Sequence, residues 1–92
     1  MKHTFSHDWD DDDLETCALN FSPPDGSKIQ MSLNPADGFW LEANKAGFNW
    51  LARVFAEIAG SDLGDGWHSH RDENMGFSTG PPEYTFGLNN EL

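Results

Sequence analysis

The hydrophobic pattern of this chain changes its period at Asn44, and this change constrains the fold more than any other feature. Before Asn44, apolar residues alternate with polar ones over short segments, as in strands with one buried face. After it, apolar residues recur at steps of three and four as far as residue 60, as in an amphipathic helix. The sequence therefore predicts strands first and then one helix.

The strand-like part contains three segments separated by breaker-rich turns. The turns read S-P-P-D-G and N-P-A-D-G, and the segments are Cys17–Phe21, Ile29–Leu33 and Phe39–Ala43. Connections this short favour antiparallel neighbours. In the third segment Phe39 is expected to face the interior, so that Trp40 and Glu42 face outwards. An outward tryptophan among polar residues is typical of a contact surface.

The helical part is expected to begin after an N-capping Asn44 and to end at Gly60. Its apolar stripe, which is expected to face the strands, contains Phe48, Leu51, Ala52, Phe55, Ile58 and Ala59. The opposite, polar face contains Asn49, Arg53 and Glu57. Trp50 lies beside that polar face, where it is expected to cover a sheet edge or to face a partner.

Two further strands are predicted after the helix, at Trp67–Arg71 and Glu83–Leu88. The predicted order is therefore β-β-β-α-β-β. One amphipathic helix on one face of a mostly antiparallel sheet is the economical arrangement, a two-layer α+β fold. Residues 1–13 are predicted to be an acidic, flexible N-terminal arm, and residues 14–92 a single α+β domain.

The charge of the chain limits its partners. Sixteen acidic residues against five basic ones give a net charge of −11 over 92 residues. Nucleic acids and anionic membranes are bound through clustered lysine and arginine, so neither is an expected partner. Such acidity raises the rate of association with a basic protein, although solubility alone also explains it.

The compartment is predicted to be cytoplasmic. The single cysteine, Cys17, leaves no intramolecular disulfide, and no apolar run approaches the roughly 20 residues of a membrane span. The first residues are polar and acidic, unlike a secretory signal. No nucleophile elbow, phosphate-binding loop or reactive-thiol signature is found, and the sequence predicts neither an enzyme nor a cofactor.

The segment G-D-G-W-H-S-H-R-D-E-N carries a pair of histidines. In a strand, His68, His70 and Asp72 project from one face, and such side chains are acceptable ligands for zinc or non-haem iron. A metal site needs further ligands at a recognisable spacing, and Cys17 is the only thiol. Half-buried structural histidines are therefore the favoured interpretation, with contact to a partner as the next alternative.

An ordered set of motifs over roughly residues 29–89 resembles the bacterial immunity proteins of immunity protein family 32. These motifs are Ala43-Asn44, Gly47-Phe48, Leu51-Ala52, Gly66-x-His68-x-His70-x-Asp72 and the strand Glu83–Leu88. The resemblance implies a protein that binds and neutralises the toxin produced beside it in a bacterial competition system. It implies no catalytic residues.

Three functions follow from these observations. The first is an immunity protein that inhibits a toxin with a basic surface by stoichiometric binding, the second a small metal-binding protein or hydrolase using His68, His70 and Asp72, and the third a DNA-mimic inhibitor. Self-association through an exposed strand edge also remains open. For the first function, the residues expected to contact the partner are Trp9, Asp10, Asp11, Asp12, Asp13, Trp40, Glu42, His68, His70, Asp72 and Glu73.

Overall fold

Four strands, one α-helix and two short 3₁₀ helices make up the computed structural model, which describes residues 1–36, 38–71 and 84–92. In chain order they are the 3₁₀ helices Asp11–Thr16 and Ala18–Asn20, strands β1 (Ile29–Asn34) and β2 (Gly38–Ala43), helix α1 (Lys45–Gly60), and strands β3 (His68–Arg71) and β4 (Tyr84–Gly87). The predicted class, α+β with one main helix and antiparallel strands, is confirmed. No helix among these residues is long and apolar enough to cross a membrane.

Strands β1 and β2 form an antiparallel hairpin with one face in the core. The register pairs Ile29 with Ala43 and Met31 with Leu41. Ile29 and Met31 are buried, and the two residues opposite them are half-buried. The alternation in the sequence therefore predicts the inner face of this hairpin correctly along most of its length.

Asn44 starts α1 and ties it to the turn before β1. Its Oδ1 accepts hydrogen bonds from the amides of Gly47 at 2.8 Å and Lys28 at 3.0 Å, and its Nδ2 donates to the carbonyl of Gly26 at 2.8 Å. The predicted N-cap is confirmed. Gly47 packs so closely that a Cβ there would lie 2.6 Å from the carbonyl oxygen of Lys28. The start of the helix is therefore fixed against β1 by both polar and steric contacts.

The first predicted strand, Cys17–Phe21, is wrong, because the 3₁₀ helix Ala18–Asn20 occupies this segment. The cause is the carboxylate of Glu57, which accepts hydrogen bonds from the successive amides of Ala18 at 3.1 Å and Leu19 at 2.9 Å. Successive amides point the same way in a helical turn but to opposite sides in a strand. The apolar residues Cys17 and Leu19 of the segment are still buried, so the alternation identified buried positions but not the backbone conformation.

The buried face of α1 is rotated away from the predicted stripe. Phe48 and Phe55, expected in the core, are 48% and 45% exposed. Trp50, expected beside the polar face, is buried, and Glu57, expected on that face, is fully buried. The tight contact of Gly47 with β1 decides the rotation, since residues three, four, seven and ten positions later follow it on the same face. The buried positions are Gly47, Trp50, Leu51, Val54 and Glu57.

The described strands form two separate two-stranded sheets, β1–β2 and β3–β4, so the prediction of one sheet with a helix on one face is wrong for these residues. In β3–β4, His68 lies opposite Gly87. Phe86 of β4 contacts Phe55 of α1 edge to face, with ring centroids 5.2 Å apart. Helix α1 therefore presents apolar residues on two neighbouring faces, one towards each strand pair.

Candidate functional site

Glu57, on the inner face of α1, is a carboxylate without solvent-exposed surface. Its Oε1 accepts from the amide of Leu19, and its Oε2 accepts from the amide of Ala18 and lies 2.5 Å from Nε2 of His7. These contacts replace the water that a buried carboxylate loses. Glu57 therefore joins α1, the second 3₁₀ helix and the N-terminal arm. The sequence gives no signal for this burial, because a pattern of hydrophobicity places a glutamate on the exposed face of a helix.

The N-terminal arm lies against the C-terminal end of α1, which stops at Gly60 as the sequence predicts. The indole Nε1 of Trp9 donates to Oγ of Ser61 at 2.8 Å, and a Cβ at Gly60 would lie 2.6 Å from the Trp9 ring. His7 stacks on that ring with centroids 5.6 Å apart. The amide of Asp62 donates to Oδ2 of Asp11 at 3.1 Å. Trp9, which the sequence predicted to contact a partner, therefore anchors the arm to α1.

The acidic run Asp10–Asp13 opens the first 3₁₀ helix and is exposed along its length. Asp10 caps that helix by accepting from the amide of Asp12 at 2.9 Å. One carboxylate oxygen from each of Asp10, Asp11 and Asp12 lies within 4.8 Å of the others. Because these negative charges lie close together and are exposed, the run presents a concentrated negative potential to the solvent.

Trp40 and Glu42 lie together on the outer face of β2. Trp40 is 55% exposed, and its indole Nε1 donates a hydrogen bond to Oε1 of Glu42. The register places Ser32 opposite Trp40 and Gln30 opposite Glu42, and both of these polar residues are exposed. The prediction that Trp40 and Glu42 face outwards is confirmed, and the structure adds the direct contact between them.

Further aromatic rings are exposed where the sequence predicted core. Phe39, expected to face the interior, is 59% exposed, and Phe48 and Phe55 lie on a half-covered face of α1. Phe39 lies at the start of β2, beside the turn and away from the helix start that covers Ala43. Burial in this hairpin therefore decreases towards its turn, which alternation alone does not predict.

The histidine pair lies on β3. His68 is exposed, so the half-buried position favoured from the sequence is wrong for this residue, and its Nδ1 lies 3.1 Å from the carbonyl oxygen of Gly66. The backbone of His70 pairs with that of Thr85. The side chain of His70, together with Asp72 and Glu73, lies outside the described residues. The predicted convergence of His68, His70 and Asp72 therefore stays a prediction.

The thiol of Cys17 is buried in the core. Burial raises its pKa above the ordinary value of 9.0, and the nearby negative charges of Glu57, Asp13, Asp10 and Asp11 raise it further. The sulfur lies 3.6 Å from the carbonyl oxygen of Asp10. A thiol held in its protonated form inside the core is a poor nucleophile.

Comparison with known proteins gives no match: no protein-family model, no curated protein and no solved structure is similar to this chain. The resemblance of residues 29–89 to immunity protein family 32 therefore stays a prediction. Two of the surfaces described above, the Trp40–Glu42 pair and the acidic arm, are also predicted from the sequence to contact a partner.

Proposed function

We propose that this protein is an immunity protein that acts in the cytoplasm, where it binds a cognate bacterial toxin stoichiometrically and blocks it. Acidic and aromatic residues contact a basic surface of the toxin. The protein acts by binding and not by catalysis. The observation that carries the proposal is the exposed Trp40–Glu42 pair on the outer face of the β1–β2 hairpin.

The Trp40–Glu42 pair combines the two features of a binding hot spot for a basic partner. The indole supplies a large, rigid apolar surface, which is the kind of side chain that dominates interface energies. The carboxylate of Glu42 holds the indole N–H and supplies a negative charge beside the ring. A lysine or arginine of the partner gains from both, through an ion pair with Glu42 and a cation–π contact with Trp40.

The acidic arm supplies the long-range attraction. Asp12 and Asp13 are exposed, and the arm that carries them contacts the body through Trp9 and Asp11. Charges fixed in this way, in a chain of net charge −11, attract a basic protein before contact is made. The arm therefore increases the association rate, while Trp40 stabilises the complex once it has formed.

The interior polar groups support binding over catalysis. Glu57 already accepts hydrogen bonds from two backbone amides and contacts His7, and it has no exposed surface. The raised pKa of Cys17 keeps the thiol protonated. Neither side chain is available to a substrate, so the reactive groups of the described core serve the fold.

Co-expression of this chain with the product of the neighbouring gene tests the proposal. The neighbouring product is expected to arrest growth alone, and the wild-type chain is expected to restore it. The double variant Trp40→Ala, Glu42→Gln is expected to lose this protection while it remains folded by circular dichroism. The matched control Phe48→Ala, Glu91→Gln removes another exposed aromatic ring and another exposed carboxylate, and it is expected to protect fully.

Two outcomes contradict the proposal. One is that the neighbouring product is harmless, or that the wild-type chain leaves its toxicity unchanged. The other is that the two double variants protect equally well, which would show that the Trp40–Glu42 pair does not bind the toxin. The metal-binding alternative is tested in the same strains by metal analysis of the untagged protein, since a retained stoichiometric metal favours it.

A further inference from the structure

A cleft of about 340 Å³ lies between the N-terminal arm, the loop after the second 3₁₀ helix, and α1. The residues that line it include Trp9 on the arm, the exposed Phe21 on the loop and the buried Trp50 on the helix. Ligand sites of proteins occupy roughly 300–1,000 Å³ and are lined mainly by apolar and aromatic groups with a few polar ones. The cleft is at the small end of that range, which suits a ligand of one or two rings.

Most polar groups of the cleft already have partners within the protein. Glu57 accepts from two amides and contacts His7. The hydroxyl of Thr16 donates to the carbonyl of Asp13 at 2.8 Å. The thiol of Cys17 lies beside the carbonyls of the same acidic turn. These groups shape the cleft and leave little hydrogen-bonding capacity for a ligand.

Arg53 also lines the cleft, and its side chain is exposed. It makes no ion pair within residues 1–36, 38–71 and 84–92. It lies on α1 between Trp50 and Glu57, three residues after the first and four before the second, so its side chain starts from the cleft wall. A guanidinium offers five donors in a planar fork that matches a carboxylate.

We propose that this cleft binds a small aromatic carboxylate, with the ring against Trp9 and Phe21 above the buried Trp50, and the carboxylate on the guanidinium of Arg53. This site is separate from the Trp40–Glu42 pair and does not depend on the proposed function. The net charge of −11 opposes an anion at long range, but that repulsion is screened beyond about 8 Å at physiological salt. The contact with Arg53 acts at shorter range.

Asp8 provides a second test, in which the expected change in affinity has the opposite sign. It also lines the cleft, and its carboxylate is exposed on the arm. Because like charges repel, Asp8 weakens the binding of an anion while Arg53 strengthens it. Removing each charge in turn therefore changes the affinity in opposite directions, a pattern that non-specific binding to the exposed rings does not produce.

Titration calorimetry with naphthoate and its neutral amide, naphthamide, tests the site on the full chain. Naphthoate is expected to bind at least about tenfold more tightly than naphthamide, because its carboxylate accepts two hydrogen bonds and forms an ion pair with the guanidinium, whereas the amide offers one neutral oxygen. Arg53→Gln is expected to abolish this difference, and Asp8→Asn is expected to enlarge it. Lys45→Gln removes a positive charge from the same helix outside the cleft, so this control is expected to retain the difference.

Any of three results overturns the proposal. Naphthoate fails to bind at millimolar concentration, it binds no better than naphthamide, or its advantage survives in Arg53→Gln. Thermal unfolding of each variant, run beside the titrations, establishes that the comparison is between folded proteins. Shifts of the indole N–H signals of Trp9 and Trp50 on adding naphthoate place the ligand in the cleft, and shifts confined to Trp40 or Trp67 contradict that placement.

Discussion

The imidazole Nε2 of His7 lies 2.5 Å from Oε2 of Glu57, a contact between residues 50 positions apart in the chain. His7 comes from the arm and Glu57 from the buried face of α1, where two backbone amides already hold the same carboxylate. The arm and the second 3₁₀ helix are thus attached to α1 through one side chain. We expect the attachment of the arm and the second 3₁₀ helix to α1 to depend on Glu57 more than on any exposed residue.

Replacing Glu57 tests this dependence. Glu57→Ala leaves the amides of Ala18 and Leu19 without their acceptor, and breaking a buried charged contact in this way costs about 3–5 kcal/mol. Glu57→Gln keeps one acceptor oxygen and is expected to cost about 1–3 kcal/mol. Urea denaturation measures both, with the exposed Glu91→Gln as the control that leaves the midpoint unchanged. A wild-type midpoint in Glu57→Gln would show that the contacts of this carboxylate do not stabilise the fold.

Substitution of Gly47 tests whether its close contact with the backbone before β1 determines which face of α1 is buried. A Cβ there would lie 2.6 Å from the carbonyl oxygen of Lys28, which belongs to the backbone and has no rotamer by which to move away. Gly47→Ala is therefore expected to lower the free energy of unfolding by about 1–3 kcal/mol, although alanine is the better helix former by about 1 kcal/mol. A Cβ at Gly64 would have no atom within 4 Å, so Gly64→Ala is the matched control. Equal stability of the two variants would contradict the packing of α1 on β1.

Cys17 gives a pH dependence with a definite sign. Burial and the nearby carboxylates raise the pKa of the folded thiol above 9.0, so the unfolded chain forms the thiolate at lower pH than the folded one. Above the unfolded pKa the unfolded state binds fewer protons, and stability falls as pH rises. The difference in free energy of unfolding between wild type and Cys17→Ala is expected to stay constant below pH 9.0 and to shrink above it. A difference in free energy of unfolding that stays constant above pH 9.0 as well would contradict the burial of the thiol.

The sequence predicted features that depend on local chemistry. The cap at Asn44, the end of α1 at Gly60 and the outward pair Trp40 and Glu42 each depend on a residue type at a known spacing, and all are confirmed. What it missed depends on contacts between distant segments. The carboxylate of Glu57 imposes a 3₁₀ turn on residues 18–20, although their alternation is typical of a strand.

The orientation of α1 also depends on contacts that the sequence pattern does not reveal. Phe48 and Phe55 are larger and more apolar than Gly47 and Glu57, so a pattern of hydrophobicity places the phenylalanines inwards. The structure instead brings the glycine against β1, because only a residue without a side chain allows that close approach. The carboxylate then lies on the buried face, where amides from a distant segment satisfy it. No periodicity in the sequence records such a partner.

The proposed role of the acidic arm in attracting a basic toxin leads to a kinetic prediction. Asp12→Asn together with Asp13→Asn removes two exposed charges and is expected to slow association with the neighbouring gene product and to weaken the salt dependence of the rate. The control, Asp25→Asn with Glu91→Gln, removes the same net charge elsewhere on the surface. Stopped-flow measurements at low and physiological ionic strength compare them. Equal association rates for the two variants would show that total charge, and not the arm, determines the rate.

The affinity of the Trp40→Ala variant for the neighbouring gene product tests the central claim most directly. By titration calorimetry, loss of this ring is expected to raise the dissociation constant at least about thirtyfold, as for a hot-spot residue worth about 2 kcal/mol or more. Phe48→Ala, which removes a ring of similar exposure from α1, is expected to change it little. An unchanged dissociation constant in Trp40→Ala, in a complex that the wild-type chain forms, contradicts the claim that the outer face of β2 binds the toxin.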